Sequence, residues 1–127
     1  MEKKDGKQAV YALTRKEWRT WLRENCQTEK SVWLILYHKK SNVESVNLNH
    51  ATEEALCFGW IDSLCKKRDA ESYYLTFTPR NAKKSKWSKL NRERAERMIQ
   101  QGLMTPHGQQ LIDIAKTIGK WEEAATN

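Results

Sequence analysis

The chain has 127 residues, of which 39% are hydrophobic and 31% are charged, and its formal net charge is +7. No apolar run approaches the roughly 20 residues of a membrane-spanning helix, and no signal-peptide pattern opens the sequence. We therefore expect a single domain over residues 1–127, with no membrane span and with frayed ends at 1–8 and 122–127.

The three cysteines are Cys26, Cys57 and Cys65, and no CxxC pair is present. Their odd number, in a chain without an export pattern, favours reduced thiols and a cytoplasmic location. We interpret them as small buried hydrophobic side chains. His38 has no second ligand at metal spacing, so we predict neither a metal site nor a cofactor.

The first two predicted elements are a helix and a central strand. Thr14 and Glu17 have capping-box spacing, and the apolar stripe that follows predicts a helix over residues 14–26. Residues 32–37 form an unbroken apolar run in which both alternating faces are hydrophobic. This pattern predicts a strand that is covered on both sides.

A second helix and a hairpin follow. We predict that Asn49 caps a helix through Phe58 and that Gly59 ends it in a left-handed turn. The strand-like runs 61–67 and 72–78 are separated by a short polar segment. This spacing predicts an antiparallel hairpin.

Two further helices complete the chain. Either Ser85 or Ser88 caps the third helix, and Thr105 with Pro106 has the N-cap and N1 pattern that opens the fourth. Together these elements predict an α+β domain with a small antiparallel sheet of about three strands packed against about four helices.

The positive charge is concentrated in one stretch. Between Lys66 and Arg97 there are eleven Lys and Arg against four Asp and Glu, and the remaining charges nearly cancel. A basic helix beside an aromatic residue, here Trp87, is a candidate for weak, largely non-specific contact with a nucleic-acid backbone. The alternative is a solvated face with Glu93 and Glu96 as local partners. The candidate nucleic-acid-binding residues are Lys83, Lys84, Lys86, Lys89, Arg92, Arg94 and Arg97.

A second constellation centres on Asp62 and Arg80, which the predicted hairpin places close together. We expect an arginine fork on the carboxylate, serving either as a structural ion pair or as part of a ligand pocket walled by indoles. The candidate ligand-binding niche comprises Trp60, Asp62, Thr78, Arg80, Trp87, Ser88 and Asn91.

Enzymatic use of this niche is a further alternative. A catalytic site needs a nucleophile, a base and an orienting group, and the sequence offers only Asp62, His38 and Cys65 as scattered candidates. No catalytic residue is therefore assigned.

Four sequence motifs follow one another along the chain: EALCFGWID (54–62), FTPR (77–80), WSKLNRER (87–94) and GLMTPHG (102–108). With them, the chain resembles the YdeI/OmpD-associated family, also described as bacteriocin-protection proteins. The resemblance implies a bacterial protein with a role in bacteriocin tolerance or association with an outer-membrane porin, and it implies no particular reaction. We therefore predict a non-enzymatic cytoplasmic binding protein whose partner is an unknown protein or small ligand.

Overall fold

The structure is a computed structural model and describes residues 2–122. This part of the chain has the α+β class and the four helices that were predicted. The strands are β1 (Lys3–Lys4), β2 (Lys7–Tyr11), β3 (Val32–Tyr37), β4 (Trp60–Lys67) and β5 (Ser72–Pro79). The helices are α1 (Arg15–Asn25), α2 (Leu48–Cys57), α3 (Lys89–Gln100) and α4 (Pro106–Thr117).

The sheet differs from the prediction. It has five strands in the order β1-β2-β3-β5-β4, and β2 pairs with β3 in parallel while the other pairs are antiparallel. The three strands that were predicted, β3, β4 and β5, do pair antiparallel, and the hairpin of β4 and β5 is confirmed. The expected number of about three strands was too low, and the parallel pairing of β2 was not predicted. β1 and β2 were missed because their lysine-rich sequence shows little hydrophobic alternation.

Residues 3–8, which were expected to fray, form β1 and the start of β2. They are held by contacts with a distant part of the chain. Arg68 donates to both carboxylate oxygens of Glu2 at 2.9 Å, and the Lys66 ammonium lies 3.0 Å from Asp5 Oδ2. The C-terminal segment that was also expected to fray lies outside the described residues from position 123 onward.

The helix starts follow the predicted capping chemistry at three of four positions. Thr14 forms the capping box of α1, Ser88 caps α3 and Thr105 caps α4. The cap of α2 is Asn47 rather than the expected Asn49, because Asn47 has the extended backbone and its side chain accepts a hydrogen bond from the His50 N–H.

Gly59 ends the α2 segment at φ +76°, as predicted. A Cβ atom at this position would lie 2.6 Å from the Leu111 side chain, so both the backbone conformation and the packing of α4 require glycine. The chain then enters β4 directly.

β3 lies in the middle of the sheet and is buried on both faces, which confirms the prediction. One face, represented by Leu34, packs with Trp18 of α1 in the main core cluster. On the other face, Trp33 packs with Tyr74 of the neighbouring β5. The Trp33 indole N–H donates to the Lys4 carbonyl at 2.9 Å. Glu2 and Lys4, at the N-terminal end of the sheet, therefore lie against the face that the helices leave open.

A separate cluster beneath α4 contains Trp87 and Trp121, with ring centres 5.0 Å apart. Within residues 2–122, no helix is long and apolar enough to cross a membrane.

Candidate functional site

The predicted fork between Arg80 and Asp62 is not formed. The Arg80 guanidinium instead stacks over Trp87, 4.0 Å from the ring centre, and donates to the Lys86 carbonyl at 3.1 Å. Asp62 makes neither a hydrogen bond nor an ion pair with it within the described chain. The reason is register, since Asp62 pairs with Phe77 in the sheet, three residues before Arg80.

Arg80 is therefore a buried cation that no carboxylate of residues 2–122 contacts. Burial lowers its pKa to about 10, while the charge of Asp62 acts in the opposite direction. The aromatic face of Trp87 and one carbonyl oxygen supply the contacts that a carboxylate was expected to supply.

The remaining niche residues are divided between different parts of the fold. Trp60 belongs to the main core cluster, and its indole N–H donates to the Cys26 carbonyl at 3.1 Å. Trp87 belongs to the cluster under α4, against which Ile61 packs. Strand alternation explains this separation, because consecutive residues of β4 point to opposite faces. The indoles therefore do not form two walls of one pocket.

The last three niche residues lie near the surface. Thr78 is half-buried in β5, Ser88 caps α3 and Asn91 accepts a hydrogen bond from Arg94. None of them donates to or accepts from Asp62 or Arg80 within residues 2–122.

The basic stretch exposes less free charge than its sequence suggests. Arg97 donates to Glu53 at 3.0 Å, and Trp87 is only 2% exposed, so it offers no ring face to a nucleic-acid base. Arg92 is partly buried, and its Nε has no hydrogen-bond partner among the described residues. The exposed members are Lys83, Lys84, Lys86 and Lys89.

A charged layer between α1, α2 and α3 was missed by the sequence analysis. The carboxylates of Glu53 and Glu54 are nearly inaccessible, with 6% and 3% of their side chains exposed. Arg15 bridges both carboxylates, at 3.0 Å from Glu53 and 2.6 Å from Glu54. Arg19 lies 2.8 Å from Glu54, and Arg97 lies 3.0 Å from Glu53. We call these five residues the charged layer, and their mutual contacts give it a structural role.

A β-bulge in β4 creates the most open constellation of polar side chains. Asp62 pairs with Phe77 and Cys65 pairs with Leu75, so three steps along β4 correspond to two along β5. Without this extra residue, alternation would place Asp62 and Cys65 on opposite faces. The bulge puts both on the face that carries Tyr73 and Leu75.

This face borders a groove that consists of two cavities, of about 910 and 490 Å³, which share His38, Leu48 and Tyr73. We call it the β4–β5 groove. The wider cavity is also lined by Asp62, Ser63, Cys65, Lys67, Asp69, Ala70, Ser72 and Leu75, and the narrower one by Tyr37, Lys39, Asn47, Asn49 and Arg94.

Two rings form the middle of the groove. His38 is exposed and its ring centre lies 5.2 Å from that of the half-buried Tyr73, with a tilt of 32°. Burial raises the pKa of the Tyr73 phenol, and the neighbouring Cys65 raises it further. The phenol therefore remains protonated and acts as a hydrogen-bond donor at neutral pH.

The structure brings together His38, Asp62 and Cys65, the three residues that the sequence left scattered. No hydrogen bond joins them among the described residues, and no group of three or more His, Cys, Asp and Glu in this part of the chain is placed to hold a metal ion. The bulge that aligns two of them has no sequence signal beyond an irregular alternation after Asp62.

A family model described as a domain of unknown function, DUF8412, matches residues 10–111. The chain belongs to this family. The matched region runs from β2 into α4 and includes both the charged layer and the β4–β5 groove. No curated protein and no solved structure matches the chain. The functional argument for this DUF8412 domain therefore rests on its own geometry.

Proposed function

We propose that this DUF8412 domain is a non-enzymatic binding protein that holds a small ligand in the β4–β5 groove. The observation that carries the proposal is the bulge in β4, which places Asp62, Cys65 and Lys67 beside the ring pair of exposed His38 and half-buried Tyr73. Bulges in edge strands commonly re-aim side chains at functional sites. A cytoplasmic protein linked to bacteriocin tolerance, as the YdeI/OmpD-associated resemblance implies, is compatible with this role.

The composition of the groove supports ligand binding. Its volume lies in the range of small-molecule sites, and Leu48, Leu75 and Tyr73 supply an apolar surface with charged groups around it. Asp62 has no hydrogen-bond partner within residues 2–122 and is only partly exposed, so its acceptor oxygens are available to a ligand.

The same residues support binding better than catalysis. A nucleophile, a base and an orienting group act through hydrogen bonds with one another, and His38, Asp62 and Cys65 share none in the described chain. Recognition of a ligand requires only that their polar atoms border a common space.

A fragment screen followed by amide NMR on the whole chain tests the proposal. We expect bound fragments to shift the signals of His38, Cys65 and Tyr73. Cys65→Trp should fill the groove and abolish these shifts, whereas the neighbouring Leu64→Trp, at an exposed position outside the lining, should preserve them. Fragments that bind equally well to both variants would rule the groove out.

The second candidate function is non-specific nucleic-acid binding. It is favoured by the four exposed lysines before and at the start of α3, namely Lys83, Lys84, Lys86 and Lys89. Titration with short fluorescent DNA and RNA should then give an affinity that falls steeply with salt and is lost in Lys84→Glu/Lys89→Glu. Absence of binding at low salt would remove this candidate.

A further inference from the structure

The narrower part of the β4–β5 groove contains an arginine whose position is fixed but whose charge is not neutralised. Arg94 Nε donates to Asn49 Oδ1 at 2.9 Å, and one terminal nitrogen donates to Asn91 Oδ1 at 2.8 Å. Both acceptors are neutral amides. They hold the guanidinium in one orientation and leave its full positive charge available to another partner.

This arrangement differs from that of four other arginines. Each of the four contacts a carboxylate, at distances from 2.6 to 3.2 Å, namely Arg15, Arg19, Arg68 and Arg97. Arg94 contacts no carboxylate within residues 2–122. Arg80 has none there either, but its guanidinium is buried and covered by Trp87. An arginine that is held in one orientation beside a cavity, without a carboxylate partner, is a feature of an anion site.

The surroundings of Arg94 add to its positive potential. Lys39 lines the same cavity and is exposed. Asn47, Leu48 and Asn49 at the start of α2 line it as well, and the first turn of this helix holds no acidic residue. The positive end of the helix dipole therefore reinforces the field that Arg94 and Lys39 create.

The ring pair links this positive end to the wider cavity. His38 and Tyr73 line both cavities, and His38 is exposed, so one face of its ring is available for stacking. A planar ring stacked there would border both cavities, with Arg94 lining the narrower one and Asp62 the wider one. A carboxylate such as that of Asp62 can accept hydrogen bonds from ring amino groups.

We propose that the β4–β5 groove binds a ligand of the nucleoside monophosphate type, with its phosphate at Arg94 and its base on the His38–Tyr73 pair. This inference rests on the proposed function of the groove and specifies its ligand class. In this arrangement the Arg94 guanidinium and the Lys39 ammonium bind the phosphate, and the rings of His38 and Tyr73 stack on the base. The exocyclic amino group of the base donates a hydrogen bond to Asp62.

Titration of the full chain with AMP, adenosine and inorganic phosphate, followed by amide and side-chain NMR, tests the ligand class. We expect AMP to shift the signals of His38, Tyr73, Arg94 and the Asn49 side-chain amide. Adenosine and inorganic phosphate each retain only half of the contacts, so each should bind at least about tenfold more weakly than AMP, as expected for loss of a charge-assisted or stacking contact.

Variants separate a bound phosphate from a general charge effect. Arg94→Gln should weaken AMP binding at least about tenfold and leave adenosine binding unchanged. Lys89→Gln removes the same charge from the same helix at an exposed position outside the groove, and it should retain AMP binding. If Arg94→Gln does not fold, the wild-type comparison of the three ligands decides.

Three results would overturn this inference: adenosine binding as tightly as AMP, unchanged AMP affinity in folded Arg94→Gln, or AMP shifts confined to Lys83–Lys89. Its failure can be distinguished from failure of the proposed function. Neutral fragments that bind in the groove while AMP does not would leave the groove as a binding site and reject the anionic ligand. Absence of both would reject both.

Discussion

Two groups of arginine and carboxylate side chains in this domain have opposite arrangements. In the charged layer, the carboxylates of Glu53 and Glu54 are buried and each contacts two guanidinium groups. In the hairpin region, Arg80 is buried and Asp62 lies partly exposed without an ion pair to it. In the first group each carboxylate is paired with two arginines. In the second, the Asp62 carboxylate lies at the edge of the β4–β5 groove with no ion pair within residues 2–122.

The difference shows how backbone geometry decides which opposite charges meet. In the charged layer, arginine side chains from two helices, α1 and α3, converge on two adjacent positions of α2. On the hairpin, the register places Asp62 opposite Phe77, and the chain turns after Pro79 so that Arg80 packs on Trp87. Proximity along paired strands was therefore insufficient to form a salt bridge.

The largest expected effect is on the charged layer. Glu54→Ala leaves Arg15 and Arg19 without their shared carboxylate, and we expect the free energy of unfolding to fall by about 3 kcal/mol. This value is at the lower end of the range for breaking a buried ion pair, because both arginines keep some contact with water. Urea denaturation measures it. Glu93→Ala, at an exposed position of α3, is the control and should change little. A loss as small as that of the control would mean that the layer is not structural.

A smaller effect is expected at Arg80. Arg80→Met keeps a long apolar stem against Trp87 and loses the hydrogen bond to the Lys86 carbonyl, so the expected destabilisation is about 1 kcal/mol. Asp62→Asn should change the free energy of unfolding by less than about 0.5 kcal/mol, because no ion pair is broken. Equal losses in the two variants, and a coupling between them in the double mutant, would instead reveal a salt bridge.

Thiol labelling compares the two regions within one molecule. Burial raises the pKa of Cys57 to about 11, and this residue lies beside the charged layer, whereas Cys65 is exposed in the groove. Cys65 should therefore react first with a thiol reagent at about pH 8, and Cys57 should react only on unfolding. Mass spectrometry of the labelled peptides gives both rates. Glu54→Ala should accelerate the labelling of Cys57 and leave that of Cys65 unchanged.

A pH-dependent effect is expected at the N-terminal strands. Hydrogen bonds from Arg68 and then Tyr74 lower the pKa of Glu2 below its usual value of 4.5. The ionised form is therefore favoured in the folded state, so its contribution is present above about pH 4.5 and is lost as the pH falls through the lowered value. At about pH 6, wild type and Glu2→Gln should differ by less than about 1 kcal/mol in the free energy of unfolding, because the ion pair is partly exposed. This difference should shrink when the pH is lowered to about 3. A difference that is constant over this range would contradict the assignment.

Local chemistry made several elements predictable. The capping box at Thr14, the Thr105-Pro106 helix start and the left-handed Gly59 were all confirmed, because each depends on a residue and its immediate neighbours. The doubly buried β3 was also predictable, since both of its faces are apolar. The α+β class follows from these elements.

The site could be predicted only in part. Asp62 was chosen as a candidate, but the expected fork with Arg80 is not formed, and His38 and Cys65 were considered only as scattered residues. Their convergence depends on one extra residue in β4, and such a bulge arises from pairing with β5. Glu53 and Glu54 were not chosen as candidates from the sequence, whereas in the structure they meet arginines from two other helices.

The sequence by itself determined where three of the four helices start, where Gly59 ends the second, which strand lies at the centre and where the positive charge is concentrated. These properties arise from local backbone preferences and from composition. Only the tertiary structure decided that β1 and β2 join the sheet, that Glu53 and Glu54 rather than Asp62 receive the arginines, and that Arg94 stays unpaired beside the rings of His38 and Tyr73. Each of these depends on strand register and on side chains far apart in the chain, whose meeting is set by the packing of the whole domain.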